Sequence, residues 1–131
     1  MKFETPEDIK NETSVINKIA GANKYTKLGP YDLDFEIDGK AYIEIKCYKI
    51  NSNDFNNCIV SLIKLVKMQA MSKKLPTFLF IQYKDELQYI NVNDIEGQIK
   101  RGGRAPRPGN TNDIEFLCYV DKSKFKIFNK N

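Results

Sequence analysis

No histidine occurs anywhere among the 131 residues. That absence removes Ser–His and Cys–His nucleophile pairs, imidazole-ligated zinc, and any hydrolysis that relies on an imidazole base. Hydrolytic chemistry, if present, must run on carboxylates, lysine and a borrowed metal ion. Cys47, Cys58 and Cys118 are scattered, with no CxxC pair, and read as small core residues in a reducing compartment. No apolar run approaches the ~20 residues that span a bilayer. The opening MKFETPEDIKNE is polar and acidic, without the apolar stretch of a signal peptide. Internal repeats and long linkers are also missing, so one domain over residues 1–131 is expected.

What is present argues for a packed, soluble protein. Hydrophobic residues make up 41% and aromatics 11%, too many for a disordered chain. The Lys-, Asn- and Ile-heavy composition suggests an AT-rich genome, and with it the cytoplasm of a bacterium or of a virus-infected host cell. The net charge of +4 is concentrated. KRGGRAPRPGNTN (residues 100–112) carries Lys100, Arg101, Arg104 and Arg107 and no acid. Those four charges equal the excess of the whole chain. A cationic Gly/Pro-rich loop on a balanced domain suits phosphate contacts that are salt-dependent rather than base-specific.

The periodicities give an element order. Thr5 as N-cap, Pro6 at the first helical position and Gly21 as the stop frame a first helix. Its apolar face, Ile9, Ile16 and Ile19, includes Glu12. A short strand is expected near residues 25–28, then alternating strands over about 31–37 and 40–48. A second helix is expected from Ser52 or Asn53, with Phe55, Ile59, Leu62, Ile63, Val66 and Ala70 buried and Lys64, Lys67 and Lys73 in solvent. TFLFIQY is too apolar for a half-exposed strand and reads as central, with ELQYINV as its hairpin partner. A short helix from Asn93 to before Gly102, the basic loop, and a last strand pair, DIEFLCYV and KFKIF, complete the chain.

The hairpin GPYDLDFEIDGKAYIEIK raises the functional question. Asp32, Asp34, Glu36, Lys40, Tyr42, Glu44 and Lys46 alternate with Tyr31, Leu33, Phe35, Ile37, Ala41, Ile43 and Ile45. The first set is either a wetted face or a site. Glu44 and Lys46, at i and i+2, point to one face of a strand about 7 Å apart. Loop parity decides whether an acid of the preceding strand joins them. A two-residue loop at Asp38-Gly39 sends the acids to the opposite face. A three-residue loop with Gly39 left-handed brings them together, and it also aligns Leu33 and Phe35 with Ile43 and Ile45. Loop residues 37–39 set Asp32 opposite Glu44; loop residues 38–40 set Asp34 there and Asp32 opposite Lys46.

On these residues the chain resembles the PD-(D/E)xK nuclease superfamily: an acid opening one strand, then E-x-K on the next. The expected order over about residues 6–83 is similar to that superfamily's restriction-endonuclease-like α/β fold. Its αβββαβ core has a mixed central sheet flanked by helices; residues 84–131 would add C-terminal strands and the basic loop. The resemblance implies a Mg²⁺-dependent endonuclease acting on DNA, with Mn²⁺ as a substitute. By resemblance Asp32 and Glu44 are metal ligands, with Asp34 as competitor for Asp32's place. Lys46 positions or polarises the attacking water, and Glu12 is the first-helix glutamate that many members direct into the site. Asp32 is preferred, twelve residues before Glu44, a spacing several small members share. Pro30 is not adjacent to the acid, which departs from the motif. The alternative is a non-catalytic nucleic-acid-binding or assembly domain on the same scaffold. A homodimer is possible through an exposed edge strand or through Met68 and Met71.

Overall fold

The computed structural model describes residues 6–29, 32–103 and 114–130. Helix α1 (Pro6–Ala20) stops at Gly21, whose φ of +57° is the left-handed geometry that glycine adopts without strain. Strands β1 (Tyr25–Lys27), β2 (Phe35–Ile37), β3 (Ala41–Cys47) and β4 (Asn57–Ser61) follow. Next come helix α2 (Leu62–Met71) and strands β5 (Thr77–Gln82) and β6 (Glu86–Asn91). Strands β7 (Gly97–Gly103), β8 (Ile114–Asp121) and β9 (Lys126–Lys130) complete the elements of the described residues, with short 3₁₀ turns at Val92–Asp94 and Lys122–Lys124.

Six strands form one mixed sheet in the order β1-β2-β3-β5-β6-β9, in which only the β3–β5 pair is parallel. Both faces of its centre are covered. Val15 and Ile16 of α1 pack on Phe35, Ile43, Ile45 and Phe80. On the other face Leu79 and Ile81 meet Leu65 and Met68 of α2 and the second, three-stranded sheet, β4-β8-β7. A strand buried on both sides has no reason to alternate, which is why TFLFIQ reads as a continuous apolar run.

The β2–β3 hairpin has the odd loop. Phe35 pairs with Ile43 and Ile37 with Ala41, leaving residues 38–40 as the turn. Gly39 sits at φ +72°, and its N–H donates to Glu36 Oε2 at 3.1 Å. The alternation nevertheless breaks at Asp34. Leu33, expected on the face of Phe35, is buried in the opposite core. β2 is only three residues long, and the chain before it turns back so that Leu28 N–H donates to the Asp34 carbonyl at 3.0 Å.

Three other expectations are overturned. Residues 57–61 are strand, not helix: Cys58 and Val60 are buried, Ile59 is exposed, and all five pair with β8. α2 therefore starts at Leu62, which leaves Phe55, Ile63 and Val66 exposed and buries Leu65 and Met68 instead. The complete burial of Met68 removes it as a dimer surface. The expected helix after Asn93 is only the turn at Val92–Asp94, and β7 takes its place because it pairs along β8. At Gly97 a Cβ would lie 2.3 Å from the Tyr119 carbonyl oxygen, an approach only glycine permits. Finally, β8 and β9 do not pair with each other. The turn at Lys122–Lys124 sends β9 to the edge of the large sheet beside β6.

Cys58 and Cys118 are buried, as expected of small core residues, and burial pushes the Cys58 thiol up to about 11. Cys47, at the end of β3, is exposed. Among the described residues no helix is long and apolar enough to cross a membrane.

Candidate active site

A cleft of about 370 Å³ opens between α1, β3 and the start of α2, lined by Glu12, Glu44, Lys46, Cys47, Ser61 and Lys64 among others. β3 supplies its floor. Ile43 and Ile45 anchor the strand in the α1 core, so the intervening Glu44 is driven to the face where α2 begins.

Glu44 is 2% exposed. The Lys64 ammonium stands 2.9 Å from its Oε2, yet off the hydrogen-bonding angle, and neither carboxyl oxygen has a well-aligned donor. Burial pushes Glu44 up to about 8, with the neighbouring Asp34 adding to the rise and Lys64 opposing it. Asp34 is also buried. Its Oδ2 accepts the Ile45 N–H at 2.8 Å, the donor that a longer β2 would have satisfied from its own backbone. A side chain thus replaces a rung of the ladder and fixes a second acid against Glu44.

Glu12, buried in α1, lines the same cleft and pairs with Lys27 at 3.4 Å. Lys46 lies at the rim, its Nζ donating to the Ile59 carbonyl at 2.8 Å. Asp32 is exposed and lies before β2, with its N–H donating to the Gly29 carbonyl at 3.0 Å. The expectation that Asp32 is the acid beside Glu44 gives way to Asp34, because the 38–40 turn sets the register. Lys100 and Arg101 lie on β7 rather than in a loop, while Arg104 and Arg107 fall outside the described residues.

Lys64 is the residue that sequence reasoning misses. A helix begun at Ser52 or Asn53 sends this lysine to solvent, whereas the helix that forms begins at Leu62. The signal available is the alternation in NCIVS, a strand closing on Ser61 as helix N-cap, which places Lys64 in the first turn of α2.

The chain's own donors fit a hard divalent cation. Mg²⁺ is bound by one or two carboxylates, with water and phosphate oxygens completing its shell, and Glu44 offers two buried oxygens without aligned donors beside Asp34. Among the described residues no three acidic or cysteine side chains converge on one point as an ion cage.

Residues 1–128 match the family described as "Phage putative PDDEXK endonuclease", and the chain belongs to that family. It is thus a member of the PD-(D/E)xK nuclease superfamily, on a restriction-endonuclease-like α/β fold with additional C-terminal strands. Curated protein sequences include no match. Among solved structures, Hjc, a Holliday junction resolvase from the archaeal hyperthermophile Archaeoglobus fulgidus, is similar over 87% of this chain and 86% of its own, at 12% identity and a TM-score of 0.49.

Proposed function

We propose that the protein is a Mg²⁺-dependent endonuclease that hydrolyses DNA phosphodiesters in the cleft between α1, β3 and α2. The observation that carries this reading is the Glu44 carboxyl, buried against Asp34 at the floor of an open cleft and lacking an aligned donor on either oxygen. A carboxylate is kept in so costly a setting where an arriving cation offsets the cost. Glu44 and Asp34 would hold the ion, which supplies Lewis-acid stabilisation of the phosphate charge and lowers the pKa of water. Lys46, released from the Ile59 carbonyl, brings its ammonium to the water or phosphate oxygen. Glu12 completes the acidic wall from α1 and orients water through its carboxylate. Lys100, Arg101, Arg104 and Arg107 would contact phosphates beyond the cleft. A homodimer would let two such sites address two strands; β9, an exposed edge carrying Ile127 and Phe128, is the surface we assign to it.

One observation favours the non-catalytic alternative: both cleft glutamates already face lysines, Glu12 with Lys27 and Glu44 with Lys64. Cleavage assays separate the readings. Of supercoiled, linear, single-stranded and branched DNA, at least one should be cut with Mg²⁺ or Mn²⁺ and none with EDTA. Lys46→Ala should lower the rate by about 10²–10⁴-fold, the usual contribution of a positioned proton-transfer or charge-stabilising group. Metal-dependent cutting that survives Lys46→Ala would remove Lys46 from the mechanism, and binding without cutting would favour the alternative.

Lys64 carries a separate expectation. Its ammonium stands where a cation would neutralise Glu44, so an arriving ion must displace it. At pH 9, Lys64→Met should lower metal-free stability by roughly 1–3 kcal/mol, as for a lost charged partner, and enlarge the rise in Tm produced by Mg²⁺. Thermal melts with and without Mg²⁺ measure both. An unchanged metal response would show that Lys64 does not compete for the site.

A further inference from the structure

Beyond the rim of the cleft lies a second recess of about 490 Å³, whose apolar floor is made by Tyr48, Phe55, Ile59, Tyr83 and Tyr119. Asn56, Asn57 and Lys122 stand around it, and among the described residues no acid lines it. Three lysines are laid over its tyrosines. Lys46 Nζ is 5.8 Å from the Tyr48 ring centre, Lys100 4.9 Å from Tyr119 and Lys122 4.6 Å from Tyr83. Lys122 also donates to the carbonyls of Ser52 and Phe55, which pins the segment carrying Phe55. Phe55 is 63% exposed, although nothing in the fold requires a phenyl ring in water.

The two recesses adjoin at Lys46. Glu44, Lys46 and Tyr48 follow one another at every second position of β3 and its extension, about 13 Å in all. Lys46 bridges them, lining the cleft while its ammonium bonds the carbonyl of Ile59 in the recess floor. A ligand that suits both must carry an anion into the cleft and a flat apolar group onto the tyrosines. A nucleotide has that make-up: its base stacks on aromatic rings and its phosphate meets lysines.

We infer that this recess is a binding site for an unpaired nucleobase next to the scissile phosphate, so that the substrate is a strand with unpaired nucleotides at the cut, not uniform duplex. This inference rests on the nuclease reading of the cleft. A base inside a duplex has both faces covered by its neighbours and cannot lie on Phe55 or Tyr119 unless it leaves the stack. Asn56 and Asn57 are placed to offer amide donors and acceptors to the edge of such a base.

The test is fluorescence anisotropy of a labelled oligothymidylate and of a duplex of matched length, in EDTA so that nothing is cut. Phe55→Ala should weaken single-strand binding by roughly 5–100-fold, the usual loss for one stacked base, so that the ratio of single-strand to duplex affinity falls. Tyr119→Leu should lower the same ratio, and Tyr119→Phe, which keeps the ring, should preserve it. Unchanged Tm values verify that the variants fold; Phe55, mostly in solvent, is the safer of the two positions. A ratio unmoved by both Phe55→Ala and Tyr119→Leu overturns the inference, and Mg²⁺-dependent cutting by the unaltered protein would then leave the nuclease reading intact. A ratio that falls while the unaltered protein cuts nothing supports the nucleobase site and removes the nuclease reading instead.

Discussion

Glu44→Gln is expected to reduce DNA cleavage by at least about 10³-fold, equivalent to about 4 kcal/mol of transition-state stabilisation, and to abolish any rise in Tm on adding Mg²⁺ or Mn²⁺. The isosteric amide keeps the shape of the site but lacks the charge that holds the ion. The same substitution should have the opposite effect on the metal-free fold. Glu44 is pushed up to about 8 from an ordinary value of 4.5, chiefly by burial, then by Asp34. The folded protein therefore holds a proton there that the unfolded chain has released. Stability falls as pH rises above about 4.5, and the full penalty, roughly 4–5 kcal/mol, is reached above about 8. The neutral amide carries no such penalty, so the metal-free Glu44→Gln variant should melt higher than wild type at pH 9 and close to it at pH 5. Metal binding by the wild type must expel that proton. The Kd for Mg²⁺ should therefore tighten about tenfold per pH unit from 6 to 8 and level off above. Calorimetry in buffers of different ionisation enthalpy reads the released proton directly; a Kd independent of pH would mean that Glu44 is not a ligand.

The second large effect separates two acids that lie two residues apart. Asp34→Asn should lower cleavage by roughly 10²-fold or more, while Asp32→Asn stays within about threefold, since Asp34 is buried beside Glu44 and Asp32 is in solvent. The fold should tolerate Asp34→Asn, because the amide oxygen can still accept the Ile45 N–H. A further readout distinguishes an effect on the site from damage to the hairpin. Removing the Asp34 charge takes away one of the causes that raise Glu44, so the pH at which metal binding saturates should move down. Equal loss of activity in both variants, or a larger loss in Asp32→Asn, would return the ligand role to Asp32.

Much of this is legible in the sequence, for identifiable reasons. The missing histidines confine hydrolysis to carboxylates and lysine. E-x-K with an isoleucine between its ends determines that Glu44 and Lys46 share a face, because a strand alternates whatever surrounds it. The left-handed requirement at Gly39 and the need to align apolar residues determine the odd loop, and the apolar run TFLFIQ determines a central strand. These are local rules, or rules of parity, and they hold without knowledge of neighbours.

What only the tertiary structure decided depends on partners distant in the chain. The register chosen between two odd loops placed Asp34 rather than Asp32 at Glu44, and a three-residue β2 turned Leu33 into the other core. Residues 57–61 became strand because β8, far along the chain, offers them a ladder. That in turn started α2 late enough to aim Lys64 at Glu44. β8 and β9, neighbours in sequence, went to different sheets because each found a better edge elsewhere. Short apolar segments have helix and strand propensities that differ by less than the free energy of burying one face, so the available partner settles their state. The aromatic recess beside the cleft has the same origin: Tyr48, Phe55, Tyr83 and Tyr119 come from four separate segments, and only the packing of the small sheet against β3 and β5 brings their rings together.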